Sequence, residues 1–278
     1  MANLFMRFPK GVSKALTLSY DDGVNTDIRF KNILDKYGIK CTFNINAGLF
    51  GDPNDDNTGK NHYRLPKEEF VNEFKNSNHE IAIHGYTHPF LEQLPPHKVT
   101  EEIIKDRETL EKIFDRVIRG MAYPYGTYND TVVEIIKNCG IAYSRTTVST
   151  EKFNIPTDWH RLPATCHHNN KRLGELTDNF INNKGERGPL LFYLWGHSYE
   201  FNSNDNWHVI EEFSKKIGNR DDIWYATNIE IYDYIDAYNR LIFNCAMTIC
   251  ENPTTKDIYF KWNEKNYCVK AGEKISLL

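Results

Sequence analysis

The sequence predicts an α/β chain in which parallel strands, wrapped by outer helices, make a barrel-like fold followed by a small antiparallel β appendage. Three observations predict it. Short β-prone segments alternate with helical patterns through residues 1–240, the rhythm of a parallel sheet with covering helices. Clusters of Asp, His and Tyr recur just after those segments, where parallel-strand barrels place their reactive loops. From residue 241 to 278 the rhythm changes to short strands and turns, so the expected division is a barrel over 1–240 and a β extension over 241–278.

The elements follow in order. Leu16-Thr17-Leu18-Ser19-Tyr20 is apolar and β-prone and stops on Asp21, Asp22 and Gly23. Neighbouring side chains of a strand point to opposite sides, so two adjacent carboxylates at a turning strand end can take different tasks around one centre. Gly23 permits the tight turn. Residues 27–37 read as an amphipathic helix with Ile28, Ile33 and Leu34 on one side and Gly38 as its stop. Residues 40–46 alternate as a strand, and 51–60 form a polar loop rich in Asp, Asn and Gly. A helix is expected over 67–75, a strand over 80–84, a longer helix over 97–114, and a strand over 117–123 that closes on Tyr123-Pro124-Tyr125-Gly126. A helix over 131–138 and a short strand over 141–145 follow. Residues 151–170, with Pro156 and Pro163, read as irregular. Then come a helix over 173–182, a strongly apolar strand over 189–195 ending on Gly196-His197, a helix over 207–217, a strand over 223–225 and a helix over 228–240. In the extension, strands are expected over 242–249, 257–262 and 267–269, joined by turns at Asn252-Pro253 and Asn263-Glu264.

Composition narrows the function. The chain has 278 residues and a net charge of -4, which argues against binding a phosphate backbone. No apolar run approaches the length of a membrane span. Residues 1–7 lack the charged start and long apolar core of a secretion signal, which places the chain in the cytoplasm, or outside the cell if a leader has been trimmed away. Six cysteines are scattered without a Cys-x-x-Cys pair and read as reduced, buried thiols.

A second cluster, His84-Gly85-Tyr86-Thr87-His88, follows the short apolar strand Ile81-Ala82-Ile83. An Asp-Asp-Gly turn alone is ordinary, and so is a lone histidine. Here two histidines four positions apart join a carboxylate at a strand end. Two imidazoles and a carboxylate suit a divalent metal and leave a position open for water.

These residues carry a resemblance to a family. Ser19-Tyr20-Asp21-Asp22-Gly23 resembles the first motif of the NodB-type polysaccharide deacetylases, the family four carbohydrate esterases. His84-Gly85-Tyr86-Thr87-His88 resembles their second motif, Tyr123-Pro124-Tyr125-Gly126 their third and Trp195-Gly196-His197 their fifth. The resemblance covers roughly residues 12–235. It implies a distorted, incomplete (β/α) barrel and removal of N-acetyl groups, with O-acetyl groups as the alternative, from a carbohydrate. It also implies a divalent metal, zinc foremost, held by Asp22, His84 and His88. Asp21 would be the general base and His197 the general acid, and the backbone N–H of Tyr125 would help stabilise the oxyanion. Trp195 stands where the family lines its acetyl-methyl pocket.

The sequence departs from the family pattern in places. Gly85 stands where the family often has Ser or Thr. Ala122 stands where an arginine usually orients the base. Arg119, Arg145 and Arg161 are the candidate substitutes, and Arg145 is favoured because it closes a short strand. Asp158-Trp159 is the candidate fourth motif, with Asp158 tuning His197. His168 is a further pocket candidate, although adjacent histidines such as His167 and His168 face opposite ways on a strand. Two other functions fit the same scaffold: hydrolysis of a small non-sugar amide, and silent carbohydrate binding. The intact Asp21, Asp22, His84, His88 and His197 weigh against the second.

Overall fold

A computed structural model describes residues 4–51 and 62–277. The expected polar loop over 51–60 lies, beyond its first residue, outside the described residues. The chain begins with β1 (Leu4–Arg7), β2 (Lys14–Asp21), α1 (Thr26–Lys36), β3 (Thr42–Ile45), α2 (Lys67–Phe74) and β4 (Glu80–Ile83). Next come α3 (Pro96–Phe114), β5 (Gly120–Ala122), α4 (Asp130–Asn138), β6 (Tyr143–Ser149), β7 (Leu162–Ala164) and β8 (Cys166–His167). The barrel ends with α5 (Leu173–Asn182), β9 (Leu190–Gly196), α6 (Ser198–Ser203), α7 (His208–Ile217), β10 (Ile223–Tyr225) and α8 (Asn228–Asn239). The chain finishes with β11 (Ile242–Phe243), β12 (Ile249–Glu251), β13 (Ile258–Trp262), β14 (Lys265–Val269) and β15 (Lys274–Ser276).

The main sheet runs β7-β6-β5-β4-β3-β2-β9-β8, and β10 pairs with β2. All of its pairings are parallel. This is a distorted, incomplete (β/α) barrel, and two features explain the distortion. β9 lies along one flank of β2 from Lys14 to Tyr20. The other flank is shared: β10 takes Lys14 to Leu16, and β3 takes Ser19 to Asp21. The edges of the sheet then meet through one segment. β7 pairs with β6, and a few residues later β8 pairs with β9. Residues 151–170, expected to be irregular, therefore contain this closing segment. Strands of two and three residues are too short for their alternation to show in sequence.

β2 is buried along its whole length, and its alternation sorts chemistry. Leu16, Leu18 and Tyr20 join the main apolar core with Phe30 and Leu34 of α1 and Phe43 of β3. Each such side chain contributes roughly 1.5–3 kcal/mol on burial. The intervening Thr17, Ser19 and Asp21 turn to polar partners: Thr17 Oγ1 donates to Asn228 Oδ1 at 2.7 Å, and Asn44 Nδ2 donates to Ser19 Oγ at 2.8 Å. A strand buried on both faces yet polar on one is what carries carboxylates to the mouth of the barrel.

The C-terminal part forms two three-stranded antiparallel sheets, β1-β13-β14 and β11-β12-β15. The single strand expected over 242–249 is two strands, because the side chain of Asn244 accepts the backbone N–H groups of Thr248 and Ile249 and so builds a turn. β1, from the other end of the chain, pairs Met6 with Phe260 in this part of the molecule. All six cysteines are free thiols.

Candidate active site

The carboxyl ends of the parallel strands bring the polar clusters together, as barrel geometry requires. Asp21 ends β2, and Asp22 follows it at φ 90°. That left-handed backbone is costly for a side-chain-bearing residue, and such strain gathers at functional sites. His88 (φ 56°) and Tyr125 (φ 57°) share it. Gly85, at φ 74°, closes the loop that folds His88 back, with Pro124 3.1 Å from where a Cβ would stand. That space accounts for glycine where the family often carries a hydroxyl.

Asp22, His84 and His88 offer ligand atoms within 4.8 Å of one another. Asp22 Oδ1 lies 3.7 Å from His88 Nε2 and 4.0 Å from His84 Nε2, and the two imidazole nitrogens are 3.2 Å apart. His84 Nδ1 donates to the carbonyl of Ala122 at 2.8 Å, which fixes the tautomer that leaves Nε2 as a lone pair facing the centre. Asp106, buried in α3, accepts the His84 N–H at 3.0 Å and the Ala47 N–H at 2.8 Å, pinning the loop. Burial pushes the His88 imidazole down to about 4, with His84 adding to the effect, and burial lowers His84 as well. Burial would raise the Asp22 carboxyl, but Arg64 and the surrounding histidines outweigh it and hold it well below the usual range. Asp22 Oδ1 is buried and accepts no hydrogen bond, although the Arg64 guanidinium stands 3.2 Å away. A buried, orphaned carboxylate oxygen beside two unprotonated imidazoles is a donor set fitted to a divalent cation.

Asp21 faces the same centre in a different setting. Arg145 of β6 pairs with its Oδ2, and Asn44 Nδ2 donates to its Oδ1 at 2.8 Å. Burial opposes ionisation, while Arg145, His84 and His197 favour it and prevail, so the carboxyl is held below its usual range. His197 Nε2 stands 3.7 Å from Asp21 Oδ2 on the far side. Its Nδ1 lies 2.7 Å from Glu200 Oε1. Burial would lower this imidazole, but the bond to Glu200 and the charges of Asp22 and Asp21 raise it above its ordinary value.

The remaining candidates are placed as follows. Trp195 is buried beside His197, with the Arg145 guanidinium 4.5 Å from its ring centroid. Arg119 pairs with Asp233 and Arg161 with Asp130 and Asp158. Asp158 does not join the site: it caps the turn at His160 and Arg161. The carboxylate on His197 is Glu200. His168 is buried behind the centre, its Nδ1 3.1 Å from Tyr20 Oη and its Nε2 3.2 Å from Glu200 Oε2. His167 and His168 do not face opposite ways, because β8 ends at His167 and the chain turns; both rings reach Glu200, 3.5 and 3.2 Å away.

The family model described as polysaccharide deacetylase matches residues 9–144. Residues 9–144 belong to the polysaccharide deacetylase family. No curated protein matches this chain. Among solved structures, the Streptococcus pyogenes deacetylase PplD, in complex with acetate, is 26% identical over 47% of this chain, with a TM-score of 0.42. The chain spans 55% of that protein's length. A Mycobacterium smegmatis protein provisionally assigned as a polysaccharide deacetylase is 16% identical over 84% of this chain and 93% of its own, with a TM-score of 0.58. BA3943 of Bacillus anthracis, a carbohydrate esterase family 4 pseudoenzyme, is 15% identical over 82% of this chain and 68% of its own, with a TM-score of 0.50. The last two share the fold.

Sequence reasoning missed four contributors. Glu200 was legible in principle, three positions after His197 on a helix. Asn44, Arg64 and Asp106 act across the fold and carry no local signal.

Proposed function

We propose that this chain is a metal-dependent deacetylase that hydrolyses acetyl groups, N-linked foremost, from a carbohydrate. The observation that carries the reading is the convergence of Asp22, His84 and His88 within reach of one ion, with Asp21 3.9 Å from His84 and His197 3.7 Å from Asp21. Residues 1–240 would be the catalytic unit and 241–278 a β extension to which the Leu4–Arg7 strand is added.

Asp22, His84 and His88 would hold the metal, zinc foremost. A divalent ion bound there supplies a Lewis acid for the acetyl carbonyl and a water of lowered pKa. Asp21, kept ionised and oriented by Arg145 and Asn44, takes the proton of the attacking water at Oδ2. The backbone N–H of Tyr125 donates to the developing oxyanion. His197 delivers the Nε2 proton to the departing nitrogen, which leaves poorly without it. Glu200 holds Nδ1 and keeps that imidazole charged until the transfer. Trp195 and Arg145 wall the acetyl end of the site.

The decisive experiment screens purified, zinc-loaded protein for acetate release. Substrates are N-acetylglucosamine oligomers, peptidoglycan fragments, acetylated xylan and small acyl amides. Release from the glycans, abolished by Asp21→Asn, supports the reading. Release from small amides alone would move the substrate away from sugars. No release from any, with metal bound, would make the chain a silent relative.

A further inference from the structure

The geometry points to a second, weaker divalent-cation site made by His167, His197 and Glu200, whose occupation silences the enzyme. These three side chains offer ligand atoms within 4.8 Å of one another, outside the Asp22–His84–His88 centre. Glu200 Oε1 lies 2.7 Å from His197 Nδ1 and 3.5 Å from His167 Nε2. Ligands of a tetrahedral zinc stand about 3.3 Å apart, given metal–ligand bonds near 2.0–2.1 Å, so the cluster needs only small side-chain shifts. Each of the three is about a fifth exposed, at 21–22%, so an ion has a path from solvent.

The carboxylate is built to present one oxygen. Asn169 Nδ2 donates to Glu200 Oε2 at 2.6 Å, and the buried His168 Nε2 lies 3.2 Å from the same oxygen. Oε1 is thereby turned toward the two remaining imidazoles. Cation binding exchanges protons for metal bonds in a balanced way. The ion replaces the Nδ1 proton of His197, which leaves to solvent when the ring begins as imidazolium. His167 Nδ1 accepts the Asn169 N–H at 3.1 Å. On binding, His167 moves its own proton from Nε2 to Nδ1 and gives up that contact.

The consequence for turnover rests on His197 being the proton donor, as proposed above. An imidazole metallated at Nδ1 still carries a proton at Nε2, but as a neutral ring it is a far weaker acid than imidazolium. It also loses Glu200 as its partner. Protonation of the leaving nitrogen then fails while the first metal stays in place.

The test titrates zinc into the metal-free protein by calorimetry and follows acetate release alongside. Wild type is expected to take up two ions, one tight and one weaker, with activity rising over the first and falling over the second. His167→Ala and His167→Gln should weaken the second step by roughly 10- to 100-fold or more, since even outer contacts of metal ligands matter by that much. Both should keep the first step and their basal activity, and lose the inhibition. His84→Ala should abolish the tight step and retain the weaker one. Saturation of wild type at one ion, or a second step and inhibition unaltered in both His167 variants, would overturn the second site. A tight step that survives His84→Ala would instead overturn the first centre, leaving the His167 result to stand alone.

Discussion

Replacing Glu200 by Gln tests the proton-donor arrangement most directly. The change keeps the shape and an acceptor for His197 Nδ1 at the 2.7 Å contact, but removes the charge. Hydrogen bonds to charged groups contribute about 1.5–3 kcal/mol and neutral ones about 0.5–1.5 kcal/mol. The difference, taken at its lower end because Glu200 is 21% exposed, is about 1 kcal/mol, somewhat under one pKa unit. Glu200 raises the His197 imidazole, so its neutral analogue lowers it. The charged form does the work and is lost as pH climbs through its pKa. The alkaline limb of the rate profile should therefore move to lower pH by about 0.7–1 unit. Rates should be nearly unchanged below the limb and fall about five- to tenfold above it. The assay is acetate release against pH with one equivalent of zinc, with thermal unfolding as a control for folding. Asp158→Asn, at the residue the sequence offered as a candidate for this task, should leave the limb in place. An alkaline limb fixed in Glu200→Gln and shifted in Asp158→Asn would refute the assignment.

Asp22→Ala should abolish stoichiometric metal uptake, whereas Asp21→Asn should retain the metal and lose turnover; elemental analysis of the two proteins checks this, and the opposite pattern would mean the two acids are exchanged. Arg145→Met leaves the Asp21 charge buried and unpaired, so unfolding free energy by denaturant should fall by about 3–5 kcal/mol. Gly196→Ala places a Cβ 2.0 Å from His168 Nδ1, an overpacking worth about 1–3 kcal/mol, and should lower the melting temperature; His168→Ala in the same chain should recover part of it.

The sequence by itself determined the chemistry that ends each long element. Asp21-Asp22-Gly23, His84 to His88, Tyr125 and Gly196-His197 were legible because each sits at the close of a β segment whose apolar pattern can be counted. The alternation of strands and helices specified the barrel for the same reason. Tertiary structure alone decided who supports them. Arg145 was favoured among three arginines only because it closes a short strand, and it is β6 that sets it against Asp21. Asn44 and Asp106 work from β3 and α3, and Arg64 from a segment with no pattern at all. Asp158 was the carboxylate offered for His197, and the start of α6 instead brings Glu200, three positions on, to 2.7 Å from Nδ1. The closing segment from Leu162 to His167 was unreadable because strands of two or three residues span too little of a two-residue alternation to stand out from chance. Periodicity reports which way a side chain faces along its own element, and only packing brings two elements' faces to one point.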